Sequence, residues 1–323
     1  MKLSVVIPTF NRVDYLRQAI DSVIAQDYPD LEIIVADNAS QDATPQLMAE
    51  YAAVENLIYR RNESNLGMVA NWADAIENIA SGDWFLIMSD DDYFTDPGYL
   101  SAAANMIARH PALTLVMSNG YILQEPSGIK TQLRLPFAEV APGIEVFLSR
   151  DTYPPQAFTL CNVLFKRDLA LKMAPFLNPD NISCDSELFL KLCLLGDVGV
   201  NQGFVSVYRV HGQNVLQSTE TDAAVLLGGF DAFVKPYHMA LSMLHDDALQ
   251  CTDRELREWR ARVLVGAARY ILLHARLSHA ESLDRITAEL EASLPGIVEE
   301  ARDSSLFRLK FAVIPLWRLL RRG

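Results

Sequence analysis

Five short runs near the start of the chain limit its fold more than any other feature: residues 3–7, 31–36, 57–59, 84–88 and 114–117 are apolar along most of their length and rich in β-branched side chains. A strand with one wet face alternates apolar and polar residues; these runs do not, so both of their faces need cover. Segments with helical spacing fill the gaps, at about 13–25, 45–52, 69–79 and 98–109. The rhythm predicts an α/β fold with a mainly parallel central sheet flanked by helices. Thr44-Pro45 and Asp96-Pro97 each read as a capping side chain before a proline at the first helical position.

From residue 121 to 155 the pattern loosens, and Glu125-Pro-Ser-Gly128 reads as a turn in a hairpin or irregular excursion, a place for acceptor-shaping loops. A second α/β stretch follows, with strands at 162–165 and 205–210 and a helix at about 185–195. Beyond Gly212 the strand signal ends. Thr252-x-x-Glu255 reads as a capping box, and Leu256, Trp259, Val263, Ala267 and Tyr270 fall on one helical face. The expected division is therefore 1–216 for the α/β domain and 217–323 for a C-terminal helical appendage.

Length and charge narrow the function classes. A chain of 323 residues, half of them hydrophobic, can bury a full core. Its formal net charge of −13 repels a phosphate backbone, so no nucleic-acid partner is expected. Cys161, Cys184, Cys193 and Cys251 lack the spacing of a zinc site and read as buried thiols in a reducing compartment. The chain opens on a strand-like run rather than a secretion signal, and no run of about 18 apolar residues is present, so a cytoplasmic location is expected.

The chemistry is written where the strand-like runs end. The first leads into Pro8-Thr-Phe-Asn-Arg12 and the second into Asp37-Asn-Ala-Ser-Gln-Asp42. In an open α/β sheet the carboxyl edge binds ligands, so Asp37 is placed to accept from a nucleobase and Thr9 to reach the base or ribose; alternatively Asp37 and Asp42 cap or turn the loop. After residues 84–88 comes Ser89-Asp-Asp-Asp92. Three adjacent carboxylates repel, and a divalent cation held jointly with a diphosphate would neutralise them.

Taken in order, Val5-Val-Ile-Pro-Thr-Phe-Asn-Arg12, Ile34-Val-Ala-Asp-Asn-Ala-Ser-Gln-Asp42, Asn65-Leu-Gly67 and Ser89-Asp-Asp-Asp92 resemble the family 2 glycosyltransferases, closely over about the first 120 residues and more loosely to about 216. The resemblance implies the GT-A fold and inverting transfer of a sugar from a nucleotide diphosphate donor, a UDP-sugar being favoured, to an acceptor hydroxyl. Polysaccharide or glycoconjugate assembly, with a lipid-linked or growing glycan acceptor, is the expected setting.

Carried over residue by residue, Pro8, Thr9, Asn11, Arg12, Asp37, Asn65, Gly67, Asn71 and Asp90 form the nucleotide-binding set, and Asp91, Asp92 and His211 hold Mn²⁺ or Mg²⁺. His211 comes from Tyr208-Arg-Val-His-Gly-Gln-Asn214, in which Arg209 is a candidate to neutralise phosphate charge. Asp185 in Cys184-Asp-Ser-Glu187 matches the family's general base at a helix start, with Glu187 in support. Asn38 and Ser89 stand where the family commonly has Asp, so the metal ligand is Asp91 in one register and the Asp90-x-Asp92 pair in another.

Two rivals are weighed. A sugar-phosphate nucleotidylyltransferase would carry a Gly- and Arg-rich first loop, whereas Pro8-Thr-Phe-Asn-Arg12 has no glycine. A non-catalytic nucleotide-sugar binder would have no need of Asp185 and Glu187. Residues 304–323 carry five basic and no acidic side chains, with Leu306, Leu309, Val313, Leu316, Trp317 and Leu320 on one helical face. That tail suits either peripheral contact with the inner face of an anionic membrane or packing on the protein.

Overall fold

The computed structural model describes residues 1–125, 127–153, 159–173, 177, 181, 183–212, 223–278, 283–305 and 307–308. Most of the tail, residues 306 and 309–323, lies outside them. The strands are β1 (Leu3–Thr9), β2 (Leu31–Asp37), β3 (Leu57–Arg61), β4 (Trp84–Ile87), β5 (Tyr93–Phe94), β6 (Leu113–Gln124), β7 (Ile129–Leu133), β8 (Val140–Pro142), β9 (Val163–Lys166) and β10 (Asp197–Val210). They form one sheet in the order β3-β2-β1-β4-β9-β6-β10-β5, with β7 on β6 and β8 on β10.

The sheet is parallel where the sequence is most apolar. β1 pairs in parallel with β2 and β4, and β2 with β3. Farther across it is mixed: β6 and β10 are parallel, but β9 lies antiparallel between β4 and β6, and β5, β7 and β8 are antiparallel to their neighbours. Connection length is part of the reason. Four residues link β6 to β7, enough for a hairpin and far short of the crossover that a parallel pair needs. The parallel ladders of β3-β2-β1-β4 and of β6-β10 carry most of the pairing, so the sheet is mainly parallel, with β9 antiparallel at the seam between them.

Helix α1 (Val13–Ile24) buries Leu16, Ala19, Ile20 and Val23, and α4 (Tyr99–Arg109) buries Leu100, Ala103 and Ile107; both join the core that covers β1, β2 and β4. The two proline signals mark these helix starts with a shift. In α2 (Thr44–Glu50) Thr44 is already helical, and Asp42 accepts from its backbone and hydroxyl. Before α4, Asp96 accepts from Gly98 N–H and closes a turn, so Pro97 precedes the helix. Helix α3 (Met68–Asp74) runs into a π-turn (Ala75–Ile79) whose Ile76 and Glu77 carbonyls accept from Arg167.

The chain folds into two compact units, 1–180 with 191–211, and 181–190 with 212–323. The first holds the sheet, α5 (Gly143–Leu148) and α6 (Arg167–Ala170). The second holds most of α7 (Cys184–Cys193), then α8 (Ala223–His245), α9 (Asp253–Trp259), α10 (Val265–Ser278), α11 (Leu283–Ser293) and α12 (Ile297–Arg302). The capping box at Thr252 and Glu255 opens α9. A π-turn (Arg260–Leu264) then adds a residue, so the buried face passes from Leu256 and Trp259 to Leu264, Ala268, Ile271, Leu272 and Ala275. That shift leaves Tyr270, expected on this face, half exposed. Among the described residues no helix is long and apolar enough to cross a membrane.

Candidate active site

The parallel half of the sheet brings the ends of β1, β2 and β4 to one edge. Each side chain there is held by a neighbouring loop. Asn11 takes φ 55°, its N–H donates to Ser40 Oγ, and its Oδ1 accepts from Gln41 N–H at 2.7 Å, which ties the loop after β1 to the loop after β2. Asp42 accepts from Val13 N–H at 3.0 Å and so fastens the same loop to the start of α1.

Asp37 ends β2 with no exposed surface. Its Oδ1 accepts from Ser40 N–H at 2.8 Å and its Oδ2 from the Tyr59 hydroxyl at 2.7 Å, with Arg61 Nε at 3.4 Å. The turn-closing role weighed from the sequence is thus present. Asn38, where an Asp is common in the family, uses both ends of its amide: Nδ2 donates to Asn65 Oδ1 and Gly67 O, and Oδ1 accepts from Leu66 N–H and Asn62. An aspartate has no donor for the first pair. Asn71 donates to Ala36 O and accepts from Asn62, and Gly67 supplies φ 87° at the entry to α3. These residues build one asparagine-rich wall. Phe10 and Leu66, which the sequence reading passed over, stand 41% and 47% exposed on loops at this edge.

The acidic run follows β4. Asp90, Asp91 and Asp92 are all buried. Thr9 Oγ1 donates to Asp90 Oδ2 at 2.8 Å; Arg12 Nη1 donates to Asp91 Oδ2 at 2.8 Å and to Asp90 Oδ1 at 3.2 Å. Asp92 Oδ1 accepts from Arg209 N–H at 2.8 Å. Burial, assisted by Asp91 and opposed by Arg12, pushes Asp90 up to about 7. Burial and the Asp91 charge also raise Asp92 above the ordinary carboxylate range. Burial therefore makes a fully ionised run costly unless further positive charge is supplied.

The end of β10 completes this part of the site. His211 Nε2 lies 2.9 Å from Asp91 Oδ2, so two residues far apart in sequence and expected to share a metal do meet. Arg209 differs from expectation. Its Nε donates to the Asp91 carbonyl at 2.6 Å, and its terminal nitrogens donate to Glu125 and Gln18. It is buried, and these bonds tie it to the acidic loop. The sequence marked Glu125 only as part of a turn and offered no sign of Gln18 or of Tyr15, whose hydroxyl donates to Glu125 at 3.2 Å.

Among the described residues no group of three or more His, Cys, Asp or Glu side chains is arranged to hold a metal ion alone. The donors present still fit a shared cation. Mg²⁺ and Mn²⁺ accept carboxylate oxygen with imidazole nitrogen and commonly fill further positions with substrate phosphate, which is the chemistry of the Asp91 and His211 pair.

In the other unit, Asp185 and Glu187 lie in the first turn of α7. Asp185 Oδ1 accepts from Ser186 N–H at 2.7 Å, and buried Glu187 pairs with Lys235 of α8 at 3.3 Å. A helix N-terminus favours both carboxylates. Asn181 Oδ1 accepts from Ser183 N–H, and a Cβ on Gly228 would stand 3.0 Å from that oxygen, so α8 packs closely at the start of α7.

The sequence model of glycosyl transferase family 2 matches residues 4–170. An uncharacterised protein of Mycobacterium tuberculosis, Rv1520, is 27% identical over 224 residues, 68% of this chain and 62% of the relative. The poly(ribitol-phosphate) β-N-acetylglucosaminyltransferase TarS of Staphylococcus aureus is 28% identical over 192 residues, 58% of this chain and 32% of TarS. The crystal structure of a TarS fragment with UDP-GlcNAc superposes with a TM-score of 0.62 at 17% identity, covering 94% of this chain and 92% of that one. A mannosyltransferase from Pyrobaculum calidifontis, solved with GDP-Man and Mn²⁺, gives 0.51 at 18% identity, with 100% and 88% covered.

Proposed function

The chain belongs to glycosyl transferase family 2 and has the GT-A fold, and from that membership and its site we propose that it is an inverting glycosyltransferase using a nucleoside diphosphate sugar. One observation carries the reading: Thr9 and Arg12, the buried Asp90–Asp92 run and His211 converge at one sheet edge with a surplus of negative charge. A diphosphate would worsen that surplus unless a divalent cation accompanied it. The asparagine-rich wall, Phe10 and Asp37 shape the nucleotide side, and a UDP-sugar is the first donor to try because TarS is solved with UDP-GlcNAc.

In the proposed reaction Asp185 accepts the proton of an acceptor hydroxyl. The acceptor oxygen bonds to the anomeric carbon from the face opposite the leaving group as the bond to the diphosphate oxygen breaks, and a nucleoside diphosphate departs with the electron pair. Mn²⁺ or Mg²⁺, held by Asp91 and His211, would supply Lewis-acid stabilisation of that departing charge. Arg12 steadies the Asp90 and Asp91 carboxylates, and Glu187, neutralised by Lys235, keeps the start of α7 in place. A lipid-linked or growing glycan acceptor, at the inner face of a membrane, belongs to the same reading.

The test follows UDP release from a panel of UDP-sugars with and without Mn²⁺, using the native chain and Asp185→Asn. Native turnover should require the cation, and Asp185→Asn should turn over about 10²–10⁴-fold more slowly with UDP affinity unchanged. UDP neither bound nor released under any condition, or an Asp185→Asn enzyme at native rate, would remove the donor or the base respectively.

A further inference from the structure

Tyr15 takes no part in the reaction outlined above, yet its ring joins several elements of the site. It stacks on His211, with centroids 5.2 Å apart and planes 11° from parallel. The Arg209 guanidinium lies 5.2 Å from the Tyr15 centroid and 5.1 Å from that of Tyr93. Glu125 accepts from the Tyr15 hydroxyl on Oε2 and from Arg209 on Oε1. Through Arg209 the same group reaches Gln18 on α1, the Asp91 carbonyl and, by its backbone N–H, Asp92.

We propose that Tyr15 is a positioning residue that sets the plane of the His211 imidazole so that Nε2 meets Asp91, with Glu125 and Arg209 holding Tyr15 in turn. The second torsion of a histidine is broad and roughly two-fold, so backbone placement leaves the ring plane open. His211 stands one residue beyond β10, past the last ladder partner. A near-parallel aromatic face selects one plane, and the bond from the Tyr15 hydroxyl to Glu125 selects the plane of that face. Leucine could fill the space but could do neither.

The proposal rests on the reading of His211 as a cation-side residue, and the experiment separates the two. Mn²⁺ binding is measured by electron paramagnetic resonance on the full chain with UDP present, for native, His211→Ala, Tyr15→Phe, Tyr15→Leu and the Tyr15→Leu/His211→Ala double variant. Tyr15→Leu should weaken Mn²⁺ binding about 10-fold or more, the cost of losing an outer-shell support. Tyr15→Phe, which keeps the stack, should stay within about threefold, the loss of one modest hydrogen bond. The double variant should bind no more weakly than His211→Ala, because Tyr15 acts through that ring.

Native affinity in Tyr15→Leu, or full additivity in the double variant, overturns the proposal. If His211→Ala itself bound Mn²⁺ normally, the metal reading of His211 would fall instead. The positioning claim would then be decided by the ¹⁵N imidazole resonances of the cation-free protein. The His211 signal should move in Tyr15→Leu and stay in Tyr15→Phe; an unmoved signal in Tyr15→Leu overturns the claim. Should Tyr15→Leu fail to fold, Tyr15→Met, which fills the space without an aromatic face, must shift the same signal, and no shift there is equally fatal.

Discussion

The sheet buries carboxylates at both ends of its strands, and it treats them in opposite ways. At the amino end Glu32 is buried, yet it accepts from Lys2 Nζ at 2.7 Å, Ser4 Oγ at 2.7 Å, and Ser81 N–H and Oγ, each at 2.8 Å. Burial alone would raise it, but these bonds outweigh burial and bring it down to about 2. Gly82 completes the fit: its N–H donates to Ser4 Oγ, and a Cβ there would stand 2.5 Å from that oxygen. At the carboxyl end Asp90, Asp91 and Asp92 lean on Arg12 and Arg209, and Asp90 is pushed up to about 7. A carboxylate that is fully provided for belongs to the scaffold. One whose burial outweighs its partners is where the proposed reading puts a ligand.

Exchanging the roles of the two ends would break this contrast, and the strongest attempt is Asp91→Ala. Donor turnover in the proposed reaction should fall about 10³-fold, the scale of losing one preorganised electrostatic group. The melting temperature should hold or rise, since a repulsive buried charge has gone. A variant that unfolds while the surviving native fraction turns over normally would make Asp91 scaffold instead.

Next in size is the effect of supplying the missing charge. Mn²⁺ with UDP at about 100 times the dissociation constant should stabilise the protein by about 2.7 kcal/mol, seen as a raised melting temperature that Asp91→Ala abolishes. No rise in the native protein would speak against the shared cation. At the other end, Glu32→Gln should leave turnover within about twofold but cost about 1–3 kcal/mol of stability, the penalty for disturbing a satisfied buried group. Chemical denaturation and the UDP-release assay on one preparation give both numbers.

The smallest effects are slopes with pH, and their signs differ. Glu32 titrates lower in the fold than in the unfolded chain, so its stabilisation is complete above about 4.5 and is lost as pH falls through about 2. Asp90 titrates higher in the fold, so cation-free protein loses stability as pH rises from about 4 to about 7 and levels off beyond. Denaturation between pH 3 and 8 should show Asp90→Asn flattening the neutral slope and Glu32→Gln the acid one. Native slopes in both variants would assign the pH dependence to other groups.

The placement of these residues at strand ends was legible because each piece is contiguous: a largely apolar strand leads to Thr9 and Arg12, another to Asp37, another to Asp90 to Asp92. Local spacing also gave the capping box at Thr252. Long-range bonds escaped it. Tyr15 and Glu125 are 110 positions apart, and Arg209 and Glu125 are 84. No periodicity links them, so Arg209 read as a phosphate partner and Glu125 as a mere turn residue. The π-turn at Arg260–Leu264 defeated a 3.6-residue projection in the same way: the extra residue moved the buried stripe off Tyr270.

The route of the chain between its compact units limits how such a protein can be recombined. Because residues 181–190 belong with 212–323 and are separated from them by 191–211, the second unit is not one continuous cassette. A single crossover near 211 would set foreign helices against the native start of α7. Glu187 would then meet a substitute for Lys235, and Asn181 whatever residue replaced Gly228. Chimeras between relatives, in evolution or in the laboratory, must carry the short inner stretch along with the long terminal one. The first turn of α7, with Asp185, thus travels with the helices at the far end of the sequence rather than with the strands on either side of it.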